Sequence, residues 1–250
     1  MHPTARSWLL GSVCAVLLVP SFAEAQADLT GQLERQIARS RRLIAADPDS
    51  HAAYYSLATL ENAKADLLND RNARRLAARH FIRAAELALE RGEVRYTSEV
   101  RNALVALNDR ARLDDIFSRI LRVAESIGAD RYLALVDYAA GLASFNRPEA
   151  DARFEEAIRL RPYPDNNHEA IGRYAQHLLA RGDARKALAV IELMSPEHRI
   201  MNGAPVFLRK RALAQLGLDT SSADAEIDLV LRRGTPVQGG VRAPEVRRQR

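Results

Sequence analysis

The side chains suited to holding a metal or moving a proton are six histidines, one cysteine and a scatter of carboxylates, and their spacing does not gather them. Two imidazoles grip one metal from a helix when they stand four apart with a glutamate after the first, as in H-E-x-x-H. His168-Glu169 begins that pattern, but position 172 is glycine. The remaining histidines, His2, His51, His80, His177 and His198, form no ligand spacing, and His177 alone is worth weighing as a general base. Its ordinary reading is a histidine packed on a helix face. No G-x4-G-K loop cradles a phosphate and no G-x-S-x-G elbow presents a nucleophile. The carboxylate pairs Asp114-Asp115 and Glu155-Glu156 stand at helix starts or on polar faces, where dipole and solvation account for them. No catalytic residue, metal ligand or cofactor site is assigned, and the chain reads as a non-enzyme.

Charge narrows the partners. The formal net charge is +5, and arginine outnumbers lysine by 34 to 3. The tail holds Arg232, Arg233, Arg242, Arg247, Arg248 and Arg250 against Glu245 alone, which accounts for the whole excess. The body is neutral and offers no broad field to phosphates, so no nucleic-acid partner is expected. From Gly234 to Arg250 the chain is rich in Gly, Pro and Arg without periodicity, the composition of a disordered basic tail. Such a tail is suited to touching an anionic surface or an acidic partner.

Residues 1–27 read as a secretory signal. Arg6 precedes a twelve-residue apolar run, Trp8 to Val19, which Pro20 ends. Ala23-Glu24-Ala25 and Ala25-Gln26-Ala27 offer two cleavage sites. The run is too short to span ~30 Å of hydrocarbon comfortably, so no transmembrane segment is expected in the mature chain. Gly11 and Val13 do not make a lipoprotein box around Cys14, and cleavage removes the only thiol.

Few Gly and Pro and much Ala, Leu and Arg favour helix throughout. One stretch sets a pattern: Ala150 to Pro162 reads ADARFEEAIRLRP. Positions four and three apart share a helix face. Ala150 and Ala157 allow close helix approach, Phe154 fills the gap beside them, and Pro162 stops the helix. The same face recurs as Ala77-Phe81-Ala84, Ile116-Ile120-Val123, Ala187-Ile191-Met194 and Ala223-Ile227-Val230. Their leading residues are 39, 34, 37 and 36 apart, which argues for repetition.

This pattern resembles the second helix of the tetratricopeptide repeat (TPR), a helical hairpin of about 34 residues. His51 to Ala58, with Tyr54 and Leu57-Ala58, resembles its first helix. The resemblance implies an all-α, right-handed TPR-like αα solenoid of about five helical hairpins over residues 28–233. Leu29 to Ala46 would form a capping amino-terminal helix, with Leu33, Ile37, Leu43 and Ile44 on its apolar side. Turns are expected at Asn108-Asp109, Asn146-Arg147-Pro148 and Gly182-Asp183, and about seven extra residues separate the helices of the first hairpin, around Leu68 to Arg75. Lys210 and Arg211 depart from the pattern in the fifth hairpin, as the wet face of a terminal repeat requires.

In this family positions 2, 5, 9 and 12 of each repeat line a concave groove. The resemblance therefore implies a groove of Ala52, Tyr55, Thr59 and Asn62, then Ser98, Arg101, Val105 and Asn108. Leu133, Val136, Ala140 and Ala143 would follow, allowing one residue of register error, and then Glu169, Gly172, Gln176 and Leu179. Tyr55 would act as an amphipathic anchor, unless it packs on Tyr54 or a neighbouring helix. Asn62 and Asn108 would pair with a peptide backbone, and Arg101 would supply a charge, unless it is a solvated face residue. The carboxylate clamp known in the family spreads Lys, Asn and Arg over three repeats. Only Arg101 and Asn102 stand near such places, so that clamp is not expected.

The expected function is a protein- or peptide-binding scaffold of the cell envelope, exported to the periplasm, in assembly of an envelope, pilus or secretion complex. Two other readings stay open: a cytoplasmic TPR adaptor with a misread amino terminus, and a non-catalytic subunit of an envelope polysaccharide enzyme complex. Removing Gly234 to Arg250 is expected to leave the circular dichroism at 222 nm unchanged, and a drop in that signal would refute the disordered tail.

Overall fold

The computed structural model describes residues 22–161 and 163–233, and every regular element among them is helical. A leading helix, α1 (Phe22–Ala46), precedes four hairpins. These pair α2 (His51–Leu68) with α3 (Arg71–Glu90), and α4 (Thr97–Leu107) with α5 (Arg110–Ser126). They continue with α6 (Tyr132–Ser144) and α7 (Glu149–Arg159), then α8 (His168–Ala180) and α9 (Ala184–Ile191). A short helix that the sequence pattern does not announce, α10 (Pro196–Asn202), leads into a fifth pair, α11 (Ala204–Gln215) and α12 (Ser221–Arg233). Most of the expected export signal, Pro162 and the basic tail lie outside the described residues. No described helix is long and apolar enough to cross a membrane.

Three of the tight turns share one chemistry. Asn69, Asn108 and Gly182 end their helices in the left-handed region, at φ of 51°, 55° and 84°. Glycine and asparagine tolerate that region best. An aspartate follows each and caps the next helix. Asp70 accepts from the N–H of Asn72 at 2.8 Å, Asp109 from Arg112 at 3.2 Å and Asp183 from Lys186 at 3.2 Å. The first hairpin therefore has no long connection. Its extra residues are built into the helices, which run 18 and 20 residues against 11 and 17 in α4 and α5.

Packing follows the chain. Each hairpin lies on the next, and the first helices α4, α6, α8 and α11 touch in succession. The buried side chains form a row of clusters, one from α3 to α7, another from α6 to α11, and a terminal one with Ile200, Val206 and Val230. Helix α1 packs on α2, burying Ile37 and half-burying Leu33 and Ile44. Leu43, expected on that apolar side, is 52% exposed, and Ser40 turns inward instead to bond Ser56 at 3.3 Å.

One aromatic junction repeats. Phe117 of α5 stacks on Tyr138 of α6 with centroids 5.3 Å apart, and Phe154 of α7 stacks on Tyr174 of α8 at 5.1 Å. Each tyrosine hydroxyl donates to a carboxylate, Tyr138 to Asp114 at 2.8 Å and Tyr174 to Glu155 at 3.1 Å. Burial pushes both phenols up to about 12. An aspartate stands three residues before each phenylalanine, and an arginine from the next turn pairs with it: Arg147 with Asp114 at 3.1 Å, Arg181 with Asp151 at 3.2 Å.

This equivalence corrects the register of α5. Phe117, not Ile120, matches Phe154, so the repeated face there is Leu113-Phe117-Ile120, and all three are fully buried. The leading residues then stand at 77, 113, 150, 187 and 223, in steps of 36, 37, 37 and 36. Leu113 disguises the match because the other leading residues are alanine. The room it takes is returned by the facing helix, where a Cβ on Gly141 would lie 2.8 Å from Leu113 Cδ1.

Phe154 is 1% exposed. Phe154→Ala and Phe117→Ala are each expected to cost about 3–5 kcal/mol in urea melts, as buried aromatic truncations do. A loss below about 1 kcal/mol at either would contradict their equivalence.

Candidate functional site

Of the groove residues implied by the TPR resemblance on α2 and α4, Asn62 lines a cleft between α2, α3 and α4, and Tyr55 bonds a residue of its rim. Tyr55, half-buried on α2, stacks on Tyr96 with centroids 4.3 Å apart and meets Phe81 of α3 at 5.7 Å in a T-shaped contact. Its packing partners are thus Tyr96 and Phe81, while Tyr54 turns to His80. The Tyr55 hydroxyl donates to Glu99 Oε1 at 3.2 Å. Burial raises its phenol pKa, and the Glu99 charge adds to the rise. Tyr55 is thus engaged by Tyr96, Phe81 and Glu99 rather than free.

Tyr96 precedes α4 with φ of 62°. A bulky residue in that region is strained, and such strain collects where a structure is held for function. The stack on Tyr55 and a 3.0 Å contact between its hydroxyl and His51 Nδ1 hold it there. Nothing in the pattern of the sequence marks Tyr96, since it belongs to the connection before the repeat.

Asn62 and Glu99 lie on the rim of a cleft of about 280 Å³ between α2, α3 and α4. Its apolar lining is Ala78, Phe81, Ala103 and Ala106, and Arg74 and Asn102 complete the rim. The polar groups are oriented by neighbours outside the cleft. Asn62 Nδ2 donates to Asp66 at 3.2 Å, so its Oδ1 keeps free acceptor capacity. Asp66 also takes Arg74, at 2.8 Å. Asn102 Oδ1 accepts from Arg101 Nε and Nη2 at 3.2 and 2.9 Å. A guanidinium only donates, so the Asn102 amide is held with its NH₂ turned away from Arg101. Glu99 accepts from Tyr55 and from Ser98 at 3.0 Å, and among the described residues no cation pairs with it.

Arg101 is neither a free charge nor a solvated face residue. It is 8% exposed and bonds Asp137 of α6 at 2.5 Å, whose other oxygen accepts from Thr97 at 2.6 Å. Burial lowers the Arg101 pKa and raises that of Asp137, against what each does to the other. Both shifts oppose a simple salt bridge, because desolvation outweighs the mutual attraction. Arg101, Asp137 and Arg173 stand 36 residues apart on α4, α6 and α8, and Arg173 pairs in turn with Glu169 at 2.5 Å. In the third and fourth hairpins the ladder residues stand one past the expected Val136 and Gly172, and Val136 and Asp137 are both buried, at 1% and 6% exposed.

The other expected residues fall elsewhere. Thr59 is exposed on α2, its hydroxyl bonding Tyr55 O at 3.0 Å. Asn108 is the left-handed cap of α4, exposed at the turn and outside the cleft lining. Gln176 is exposed on α8, away from the cleft. His177 is packed between Phe154 and Asp151, which lies 3.3 Å from its Nε2, and burial lowers its pKa. Among the described residues no group of three or more His, Cys, Asp or Glu is placed to hold a metal ion.

No protein-family model matches the chain, and no curated protein does. Among solved structures, the crystal structure of BtubC (BKLC) from P. vanneervenii is similar, with a TM-score of 0.51 over 88% of this chain and 95% of that one. At 16% identity the likeness extends to the helical fold alone.

Asp137→Ala strands a buried guanidinium and is expected to cost about 3–5 kcal/mol in urea melts. Replacing the pair together, Arg101→Met with Asp137→Leu, is expected to return stability to within about 1 kcal/mol of the parent or above it. Equal losses from the single and the paired changes would show that the ion pair itself stabilises.

Proposed function

We propose that this protein is a non-catalytic scaffold, a right-handed TPR-like solenoid whose first helices hold a segment of a partner protein. The observation that carries this reading is the cleft between α2, α3 and α4, where apolar lining meets polar groups oriented from behind. Asn102 presents donors and Asn62 presents an acceptor, the two halves of a peptide-backbone contact. Holding these amides in place before binding reduces the ordering cost that otherwise weakens association. The buried Arg101–Asp137 pair makes Arg101 a positioning residue for Asn102.

We further propose that the chain is exported and acts in the periplasm, in assembly of an envelope, pilus or secretion complex. The charged start, twelve-residue apolar run and small-residue cleavage sites before residue 28 support export. Intact-mass measurement on periplasmic extract is expected to find a chain beginning at Gln26 or Asp28.

A photocrosslinking amino acid at Thr59, exposed one turn from Asn62, is expected to form a discrete adduct in intact cells. Asn102→Asp keeps the shape, removes the donors and sets a carboxylate against Glu99. It is expected to reduce that adduct at least tenfold without shifting the melting temperature by more than about 2 °C, as an exposed substitution permits. An adduct indifferent to Asn102→Asp would overturn the groove reading.

A further inference from the structure

The cleft exists where the repeating aromatic junction is incomplete. At two successive junctions a phenylalanine on a second helix is covered by a tyrosine from the next first helix: Phe117 by Tyr138 and Phe154 by Tyr174. Those tyrosines stand 36 residues apart, and 36 residues before Tyr138 is Asn102. Phe81 is the corresponding phenylalanine, in the register Ala77-Phe81-Ala84. No tyrosine reaches it from α4; Tyr55 of α2 meets it at 5.7 Å, in a T-shaped contact rather than a stack. Where Asp114 and Asp151 precede the other two phenylalanines by three residues, Ala78 precedes Phe81. Two large side chains of the motif are thus replaced by smaller ones, and Ala78, Phe81 and Asn102 all line the cleft.

We propose that this cleft is a socket for an aromatic side chain, tyrosine by its polar lining, carried on the partner polypeptide. The proposal rests on the partner-binding reading of the same surface and names what the partner must bring. The internal junctions supply the template: a ring stacked on phenylalanine at about 5 Å with its hydroxyl donating to a carboxylate. At the cleft Phe81, which Tyr55 meets only in a T-shaped contact, offers the ring, and Glu99, which already accepts from Tyr55 and Ser98, offers its remaining acceptor capacity. The volume, about 280 Å³, is ample. An apolar cavity of about 150 Å³ already binds benzene. Aromatic pairs contribute beyond the area they bury, and one ring seated in a desolvated pocket is the usual anchor of an interface.

The test uses the tyrosine side chain itself. 4-Methylphenol is titrated into the full mature chain while the side-chain amide signals of Asn62 and Asn102 are followed by NMR. Saturable shifts at millimolar ligand are expected, with toluene binding at least threefold more weakly for want of the hydroxyl. Asn102→Tyr restores the motif's own tyrosine. It is expected to weaken 4-methylphenol binding at least tenfold, read from the Asn62 signal, and to raise the urea midpoint. Phe81→Leu removes the stacking ring from a half-exposed position and is expected to weaken binding similarly, which keeps the test sound if Asn102→Tyr does not fold. Absence of saturable shifts, tighter binding of butylguanidinium than of 4-methylphenol, or undiminished binding in Phe81→Leu would each overturn the socket. If the Thr59 adduct still forms while 4-methylphenol fails to bind, the groove stands and the aromatic anchor falls.

Discussion

No helix in this chain can hide its apolar stripe alone, and the junction between one hairpin and the next is where that debt is settled. The junction needs a small residue for close approach and a ring beside it to fill the wedge. It also needs a second ring from the following helix to close the space. Phe117 with Tyr138 and Phe154 with Tyr174 meet all three needs, and their hydroxyls find carboxylates so that no buried phenol is left unpaired. Because each junction joins only neighbours, the core is a row of clusters, and stability is set locally along the row.

Much of this was legible because it depends on residue types at fixed offsets. Asn or Gly followed at once by Asp marks a turn in which one residue ends a helix and the next begins another. The alanine-to-phenylalanine spacing marks the closely packed face. What escaped is whatever depends on two helices at once. Leu113 breaks the small-residue rule on α5, and only Gly141 on α6 makes it fit, so the face read at Ile116 was one turn late. The first hairpin's extra residues looked like a loop because helix length is not bounded by the repeat pattern. The same limit applies to Arg101. Nothing in α4 announces that Asp137, on another helix, buries its charge.

That buried pair is part of a charge ladder along successive first helices. Arg101 with Asp137 and Arg173 with Glu169 neutralise one another in succession along α4, α6 and α8. The ladder thus adds little net charge to this face. Desolvation opposes the pair, so its burial argues only weakly for stabilisation. Its use is geometric: two neighbouring hairpins are held in register, and the guanidinium that does so also turns the Asn102 amide.

The position of the cleft follows from the unequal hairpins. Helices α2 and α3 run 18 and 20 residues, while α4 has 11, so the long pair overhangs its shorter neighbour at the turn end. An overhang by itself would leave an exposed apolar step. Here its rim carries Asn62 and Arg74, tied to one another through Asp66, so the step is wetted at its edge and apolar only within. The strained Tyr96, stacked on Tyr55, closes the opposite end of α4. A repeat that completed its junction with tyrosine would be better packed and would leave no cleft. The incomplete junction at Phe81 is thus a place among the described hairpins where a side chain of the repeated motif is missing and a cleft with oriented amides and a carboxylate is left instead.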